Sequence, residues 1–118
     1  MMGGIGIVLR RSPYGSVEAA EAIRHALGGI GEGFDVNLML MDGGVEAARK
    51  NQDISDTEYL SVEEGIRDCL DMGVAVYAEK ISLAMAGLSP DSAVEGVAAV
   101  DESEIAGMIK ESDTTMIF

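Results

Sequence analysis

Short apolar runs alternate with amphipathic stretches along this chain. The continuous runs at residues 5–9 and 74–78 are typical of strands buried on both faces of a sheet. Residues 34–41 alternate between apolar and polar and then become apolar, which predicts another strand. Two shorter runs, at residues 97–100 and 114–118, complete the set. The pattern therefore predicts five strands.

Between these runs, apolar residues recur at the spacing of an α-helix. The segments with this pattern are residues 17–27, 45–50, a stretch within 57–72, residues 80–86 and a stretch that opens at Asp101. On the first of these helices, Val17, Ala20, Ile23 (or Arg24) and Leu27 recur at helical spacing and are expected to share one face. Strands and helices thus follow one another in turn.

Capping residues and glycines predict where some of these helices begin and end. Ser16 can cap the first helix, and Gly28 with Gly29 is predicted to stop it. For the helix within 57–72, two capping boxes compete, one starting at Ser55 and the other at Ser61. The sequence leaves that choice open.

Strand–helix alternation implies parallel strands joined by right-handed crossovers, with helices on both faces. We therefore predict an α/β fold, a three-layer α/β/α sandwich around a five-stranded, mainly parallel sheet. The chain has 118 residues, of which 47% are hydrophobic, and this suits a single domain spanning residues 1–118.

The strongly acidic composition limits the kinds of partner. Twenty-one acidic residues against eight basic ones give a net charge of −13. Nucleic acids and anionic membranes are bound through Lys and Arg, so neither is an expected partner. No apolar run approaches the roughly 18 residues of a membrane span. The acidity indicates either a solvated surface or a patch for a basic partner.

Cys69 is the single cysteine, so an internal disulfide is impossible. This fits a reducing compartment, and with no signal peptide in the sequence we expect a cytoplasmic protein. Cys69 lies on an apolar stripe with Val62, Ile66 and Leu70. We expect a buried thiol with a raised pKa and little reactivity.

Polar residues follow the predicted strands where an α/β sheet binds its ligands, outside the carboxyl ends of the strands. The loop at residues 12–16 follows the first strand and is either a capped turn or an anion site at a helix start. Asp42 follows the second strand, where we expect it to cap the next helix, and Glu79 follows the third. The candidate ligand-binding residues are Ser12, Tyr14, Gly15, Ser16, Asp42 and Glu79.

The sequence does not match the patterns of a dinucleotide site, a phosphate-acceptor site or a metal site. Gly3, Gly4 and Gly6 precede or begin the first strand, whereas a dinucleotide fingerprint follows it. A phosphate-acceptor role for Asp42 is rejected, because no acidic pair follows the first strand. His25 is the only histidine and has no partners at ligand spacing, so we predict no metal site and no cofactor.

Segments across nearly the whole chain resemble the DsrE/DsrF-like family, and in particular its TusC or DsrF type. The matching segments are IGIVLRRSPYGS (5–16), DVNLMLMDGGV (35–45), EYLSVEEGIRDCLDMGVAVYAEKISLAMAGL (58–88) and the ending from Ser112-Asp113 to Ile117-Phe118. The resemblance implies an α/β/α domain that assembles into trimers or hexamers, alone or with related subunits.

The resemblance also implies chemistry at the end of the third strand. Active members carry a sulfane sulfur there as a cysteine persulfide and pass it to a partner protein. A helix N-terminus lowers the pKa of a thiol, which suits a cysteine to that place. Glu79 stands at this position here, and a carboxylate cannot form a persulfide. The same helix terminus would nonetheless stabilise its negative charge.

Three hypotheses follow. The first is a non-catalytic, oligomer-forming subunit or partner in intracellular sulfur relay, with a sulfur-carrier protein as a further partner. The second is a small-ligand-binding domain whose pocket is lined by Glu79, Asp42 and residues 12–16. The third is a sulfur carrier that uses Cys69. The sequence favours the first, and with it a non-enzymatic role.

Overall fold

Five parallel strands form one sheet in the computed structural model of the chain, which describes residues 3–13, 17–50 and 61–118. The strands are β1 (Gly4–Leu9), β2 (Asp35–Leu40), β3 (Ala75–Glu79), β4 (Ala98–Val100) and β5 (Thr114–Ile117). They lie in the order β4-β3-β2-β1-β5, and every neighbouring pair is parallel. The predicted α/β sheet is confirmed.

Within these residues, four α-helices lie between the strands: α1 (Glu18–Gly31), α2 (Val62–Met72), α3 (Lys80–Met85) and α4 (Glu102–Glu111). The same part of the chain contains two 3₁₀ helices, Asp42–Ala48 and Pro90–Ser92. None of the helices described in the structure is long and apolar enough to cross a membrane.

The sheet is covered on both faces, which gives the three predicted layers. Alternate side chains of a strand point to opposite faces. One face packs against α1 and α2 in a large core that includes Ile7, Leu9, Leu38, Leu40, Val76, Ala22, Ala26, Ile66 and Cys69. The other face packs against α4 in a smaller core built from Val8, Met39, Val100 and Ile105.

Helix α1 runs through Gly28 and Gly29, so the predicted stop at these residues is wrong. A Cβ atom at position 29 would lie 3.1 Å from Val36 Cγ2 and 3.2 Å from Ile5 Cδ1. The glycine therefore serves close packing of the helix on the sheet, and the left-handed turn that follows α1 is made by Gly33 (φ 95°).

The buried face of α1 also differs from the prediction. Its buried residues are Ala19, Ala22, Ile23 and Ala26. The prediction is confirmed for Ile23 and for Leu27, which packs partly buried against the core, whereas Val17 and Ala20 are exposed. Small alanine side chains allow the helix to lie close to the strands. Helical spacing alone does not show that alanines, and not Val17, face the sheet.

Helix α2 begins at the second of the two competing capping boxes. Ser61 Oγ accepts a hydrogen bond from the backbone N–H of Glu64 at 3.2 Å. Gly73, in the left-handed conformation (φ 99°), ends the helix as predicted. The alternative start at Ser55 and the proposed cap at Ser16 lie outside the described residues.

The segment after β2 is a 3₁₀ helix that starts at Asp42, not the predicted α-helix over residues 45–50. Gly44 explains this tight winding. An added Cβ at Gly44 would lie 2.0 Å from the carbonyl oxygen of Leu9, so the backbone here is pressed against the end of β1. This contact places Asp42 beside the first strand.

Candidate functional site

The carboxyl ends of β1, β2 and β3 meet in a continuous set of polar contacts. Arg10 follows β1, and its Nε donates to Oδ2 of Asp42 at 2.8 Å. The backbone N–H of Asp42 donates to Oγ of Ser82 at 2.8 Å. Ser82 Oγ in turn donates to Oε1 of Glu79. Four residues from separate elements are thus tied together at the ligand-binding edge of the sheet.

Glu79 is the last residue of β3, directly before α3, and is only 5% exposed. It occupies the N-cap position, but its side chain accepts no backbone N–H. Its donor is the hydroxyl of Ser82, which is equally buried. The described contact of the carboxylate is therefore a side-chain hydrogen bond from within α3 and not a backbone cap.

Asp42 has a left-handed backbone conformation (φ 50°), which is uncommon outside glycine but tolerated by aspartate. Two contacts hold it there: its N–H bonds to Ser82, and its carboxylate pairs with Arg10. Met41, not Asp42, is the N-cap of the 3₁₀ helix, so the predicted capping role is wrong. The exposed ion pair with Arg10 contributes at most about 1 kcal/mol, so its main effect is on geometry.

The structure joins some of the predicted site residues and separates others. Asp42 and Glu79 share the same edge and are linked through Ser82. Asp42 is exposed, whereas Glu79 is buried. Ser12 is partly buried after β1, and the other loop candidates, Tyr14, Gly15 and Ser16, lie outside the described residues.

Sequence reasoning missed Ser82 and Arg10. Ser82 stands three residues after Glu79, a spacing that brings two side chains together at the start of a helix. That signal was available in the sequence. The pairing of Arg10 with Asp42 depends on the register of β1 with β2, which only the structure gives.

Two open cavities flank Asp42. The smaller, of about 320 Å³, is lined by Asp42, Gly43, Glu46, Ser82, Met85 and Ala86. The larger, of about 560 Å³, is lined by Arg10, Arg11, Glu18, Asp42, Ile117 and Phe118. Both fall within the size range of small-molecule sites, roughly 300 to 1,000 Å³.

Cys69 lies on α2, is fully buried and belongs to the core between that helix and the sheet. Burial raises the pKa of its thiol from 9.0 to about 11, and the charge of Asp68 adds to the increase. The predicted raised pKa is confirmed. At neutral pH the group is a protonated, inaccessible thiol with little nucleophilic character.

His25 is on α1, away from the strand-end contacts. Its Nδ1 lies 2.8 Å from the backbone carbonyl of Glu21, and its ring centroid is 5.3 Å from that of Phe118. Among residues 3–13, 17–50 and 61–118, no group of three or more His, Cys, Asp or Glu side chains could hold a metal ion. His25 itself is exposed.

Comparison with known proteins identifies relatives over almost the whole length. The sequence profile of the DsrE/DsrF-like family matches residues 4–118. The chain is 31% identical to the protein MK0008 of Methanopyrus kandleri over 115 residues, which cover 97% of this chain and 93% of that protein. It is 28% identical to MJ0989 of Methanocaldococcus jannaschii over 113 residues, covering 95% and 96% respectively.

Solved structures share the fold. The crystal structure of YchN from Escherichia coli matches with a TM-score of 0.90 at 24% identity, covering 99% of this chain and all of that one. MTH1491 from Methanobacterium thermoautotrophicum matches with a TM-score of 0.77 at 14% identity, covering 98% and 99%. At these identities the likeness concerns the architecture.

Proposed function

Because the chain belongs to the DsrE/DsrF-like family, we propose that it is a non-catalytic, oligomer-forming subunit or partner in intracellular sulfur relay. The observation that carries this proposal is the environment of the chain's one cysteine, Cys69. Persulfide transfer needs a thiolate that a donor and an acceptor can both reach. A fully buried thiol with a pKa of about 11 meets neither condition.

The strand-end position supports the same proposal. The family resemblance places the active cysteine where Glu79 stands, and a carboxylate has no sulfur with which to form a persulfide. Glu79 is bonded to Ser82, and through it to the turn at Asp42. Its contacts fit a residue that holds the architecture of the edge rather than one that exchanges groups with a substrate.

Exposed apolar side chains on α3 support assembly with other subunits. Ile81 is 62% exposed and Met85 is 84% exposed, and their i, i+4 spacing puts them on one side of the helix. Adjoining exposed apolar residues of this size mark interaction surfaces. We propose that this side of α3 contacts further copies in a trimer or hexamer, or a related DsrE/DsrF-like subunit or sulfur-carrier protein.

A persulfide-loading assay with mass detection tests the lack of sulfur chemistry. The native protein is treated with a sulfane-sulfur donor, and the mass of one added sulfur atom is sought. We expect no loading of the wild type or of Cys69→Ala. The side chain at position 79 is only 5% exposed, so loading of Glu79→Cys would show that a donor can reach the strand-end position. Ser103→Cys, on the exposed side of α4, controls for the reactivity of any accessible thiol. Rapid loading of native wild type at Cys69 would overturn the proposal.

Light scattering tests the assembly. We expect the wild type to be a trimer or larger, and Met85→Glu to shift it toward the monomer by placing a charge in the contact. Met72→Glu is the matched control, because Met72 is also an exposed methionine but ends α2. A monomeric wild type, or equal dissociation by both variants, would reject α3 as the contact surface.

A further inference from the structure

An open cleft lies where the order of the strands breaks, between β1 and β5. The chain leaves β1 toward α1 on one face of the sheet, whereas β5 is reached from α4 on the other face. In open α/β sheets, ligands bind at such a switch in strand order, in the crevice outside the carboxyl ends of the strands. The cavity of about 560 Å³ described above occupies this crevice.

Two neighbouring guanidinium groups line the cleft. In the described part of the chain, the side chain of Arg10 makes its hydrogen bond through Nε, to Asp42, which leaves its terminal nitrogens for a ligand. Arg11 Nε is 3.9 Å from Glu18 Oε1, longer than a hydrogen bond. In the chain's other adjacent basic pair, by contrast, Arg49 binds Glu46 through two hydrogen bonds of 2.8 and 3.1 Å.

One wall of the cleft, formed by Ile117 and Phe118, is apolar, and the carboxylates of Glu18 and Asp42 also line the cleft. Ile117 is 68% exposed, and Phe118 beside it is partly exposed. Backbone hydrogen bonds fix this wall: the N–H of Arg10 donates to the main-chain oxygen of Phe118, and the N–H of Phe118 donates to the carbonyl of Val8, both at 2.8 Å. The strand ladder therefore holds the apolar wall and the arginine pair in a fixed relation.

We propose that this cleft binds a small organic anion in which a carboxylate or phosphate group is attached to an apolar group. The planar, always charged guanidinium matches carboxylate and phosphate oxygens in pairs. An apolar ligand group that covers the exposed Ile117 removes apolar surface from water, which favours binding. The site uses neither Cys69 nor Glu79, so it goes beyond the proposed role in sulfur relay and does not depend on it.

Nuclear magnetic resonance titration of the isotope-labelled full chain tests the proposal with four probes. Phenyl phosphate and benzoate carry both ligand halves, whereas inorganic phosphate and benzyl alcohol each carry one. We expect saturable shifts of amide signals at residues 8–12 and 116–118 with at least one of the first two probes, and the better of them identifies the preferred anion. Each half-probe should bind at least about tenfold more weakly.

Variants locate the binding. We expect Arg11→Gln to weaken the better probe about tenfold, and Ile117→Ser to weaken it several-fold. Arg67→Gln, an exposed arginine paired with Glu63 on α2, is the matched control and should leave binding unchanged. Cys69→Ala should also leave it unchanged, which separates this site from the proposed sulfur-relay role.

Three results would overturn the proposal. The first is the absence of saturable shifts with both phenyl phosphate and benzoate. The second is equal affinity for inorganic phosphate, which would show that the apolar wall takes no part. The third is binding that survives both Arg11→Gln and Ile117→Ser, which would place the ligand elsewhere.

Discussion

Ser82 joins the two halves of the strand-end site, so its removal should be costly. Ser82→Ala takes away the hydroxyl that donates to Glu79 and that accepts from the N–H of Asp42. Glu79 and Ser82 are both 5% exposed, so little water can replace the lost group. The substitution leaves a buried carboxylate without a donor and a backbone N–H without an acceptor.

The size of the loss follows from these two contacts. A hydrogen bond to a charged group is worth about 1.5 to 3 kcal/mol, and an unsatisfied buried N–H costs about 1 to 3 kcal/mol. The N–H of Asp42 is only part-buried and contributes less than that second range. Partial relaxation of the turn at Asp42 lowers the sum. We therefore expect Ser82→Ala to lower the free energy of unfolding by roughly 3 kcal/mol, and Tm by roughly 10 °C for a domain of this length.

Urea denaturation followed by circular dichroism measures the free energy of unfolding. Ser103→Ala makes the same chemical change at an exposed position on α4 and should change stability by less than about 0.5 kcal/mol. A double-mutant cycle with Glu79→Gln then isolates the pair. Because an unpaired amide costs less than an unpaired carboxylate, Ser82→Ala should be less damaging in the Glu79→Gln background.

Two results would contradict this role of Ser82. If Ser82→Ala unfolds within about 0.5 kcal/mol of the wild type, the hydroxyl does not hold this edge together. If its cost is the same with Glu79 and with Gln at that position, the loss comes from packing or from the Asp42 turn rather than from the carboxylate.

Two further predictions concern stability. Gly44→Ala should lower the free energy of unfolding by roughly 3 kcal/mol or more, because its Cβ would overlap the Leu9 carbonyl. Gly28→Ala should raise it by about 0.5 to 1 kcal/mol, because a Cβ there would have nothing within 4 Å and alanine favours the helix. Urea denaturation of both variants checks this. The pKa of Cys69 is higher in the folded state than in the unfolded chain, so the free energy of unfolding should fall by about 2 to 3 kcal/mol as the pH rises from 9 toward 11. Below pH 9 this part of the stability is fully present. Cys69→Ala should lack that part of the pH dependence.

The sheet could be predicted from sequence because its signals are local. Each strand is an apolar run, and each connection carries helical spacing or a capping residue, as Ser61 and Asp101 show. Parallel pairing then follows from the alternation of elements. Family resemblance and residue pattern pointed to the same architecture.

The errors fall where tertiary contact overrides a local signal. Gly28 and Gly29 read as a helix stop, yet Gly29 is there because Val36 and Ile5 leave no room for a Cβ. Asp42 read as a cap, yet the close approach of Gly44 to Leu9 turns the backbone and aims its carboxylate at Arg10. Contacts between distant segments leave no periodic mark on the sequence.

The strand-end edge combines two regions with different physical roles. Glu79 and Ser82 form a buried network, so changes there should alter stability first and binding only through the turn at Asp42. Arg11 and Ile117 are exposed on the cleft, so changes there should alter binding and leave the free energy of unfolding nearly unchanged. Asp42 belongs to both regions, because its backbone bonds to Ser82 and its carboxylate to Arg10. An anionic ligand drawn to the arginine pair would compete with that carboxylate, so the cleft and the buried network should be coupled through this single residue.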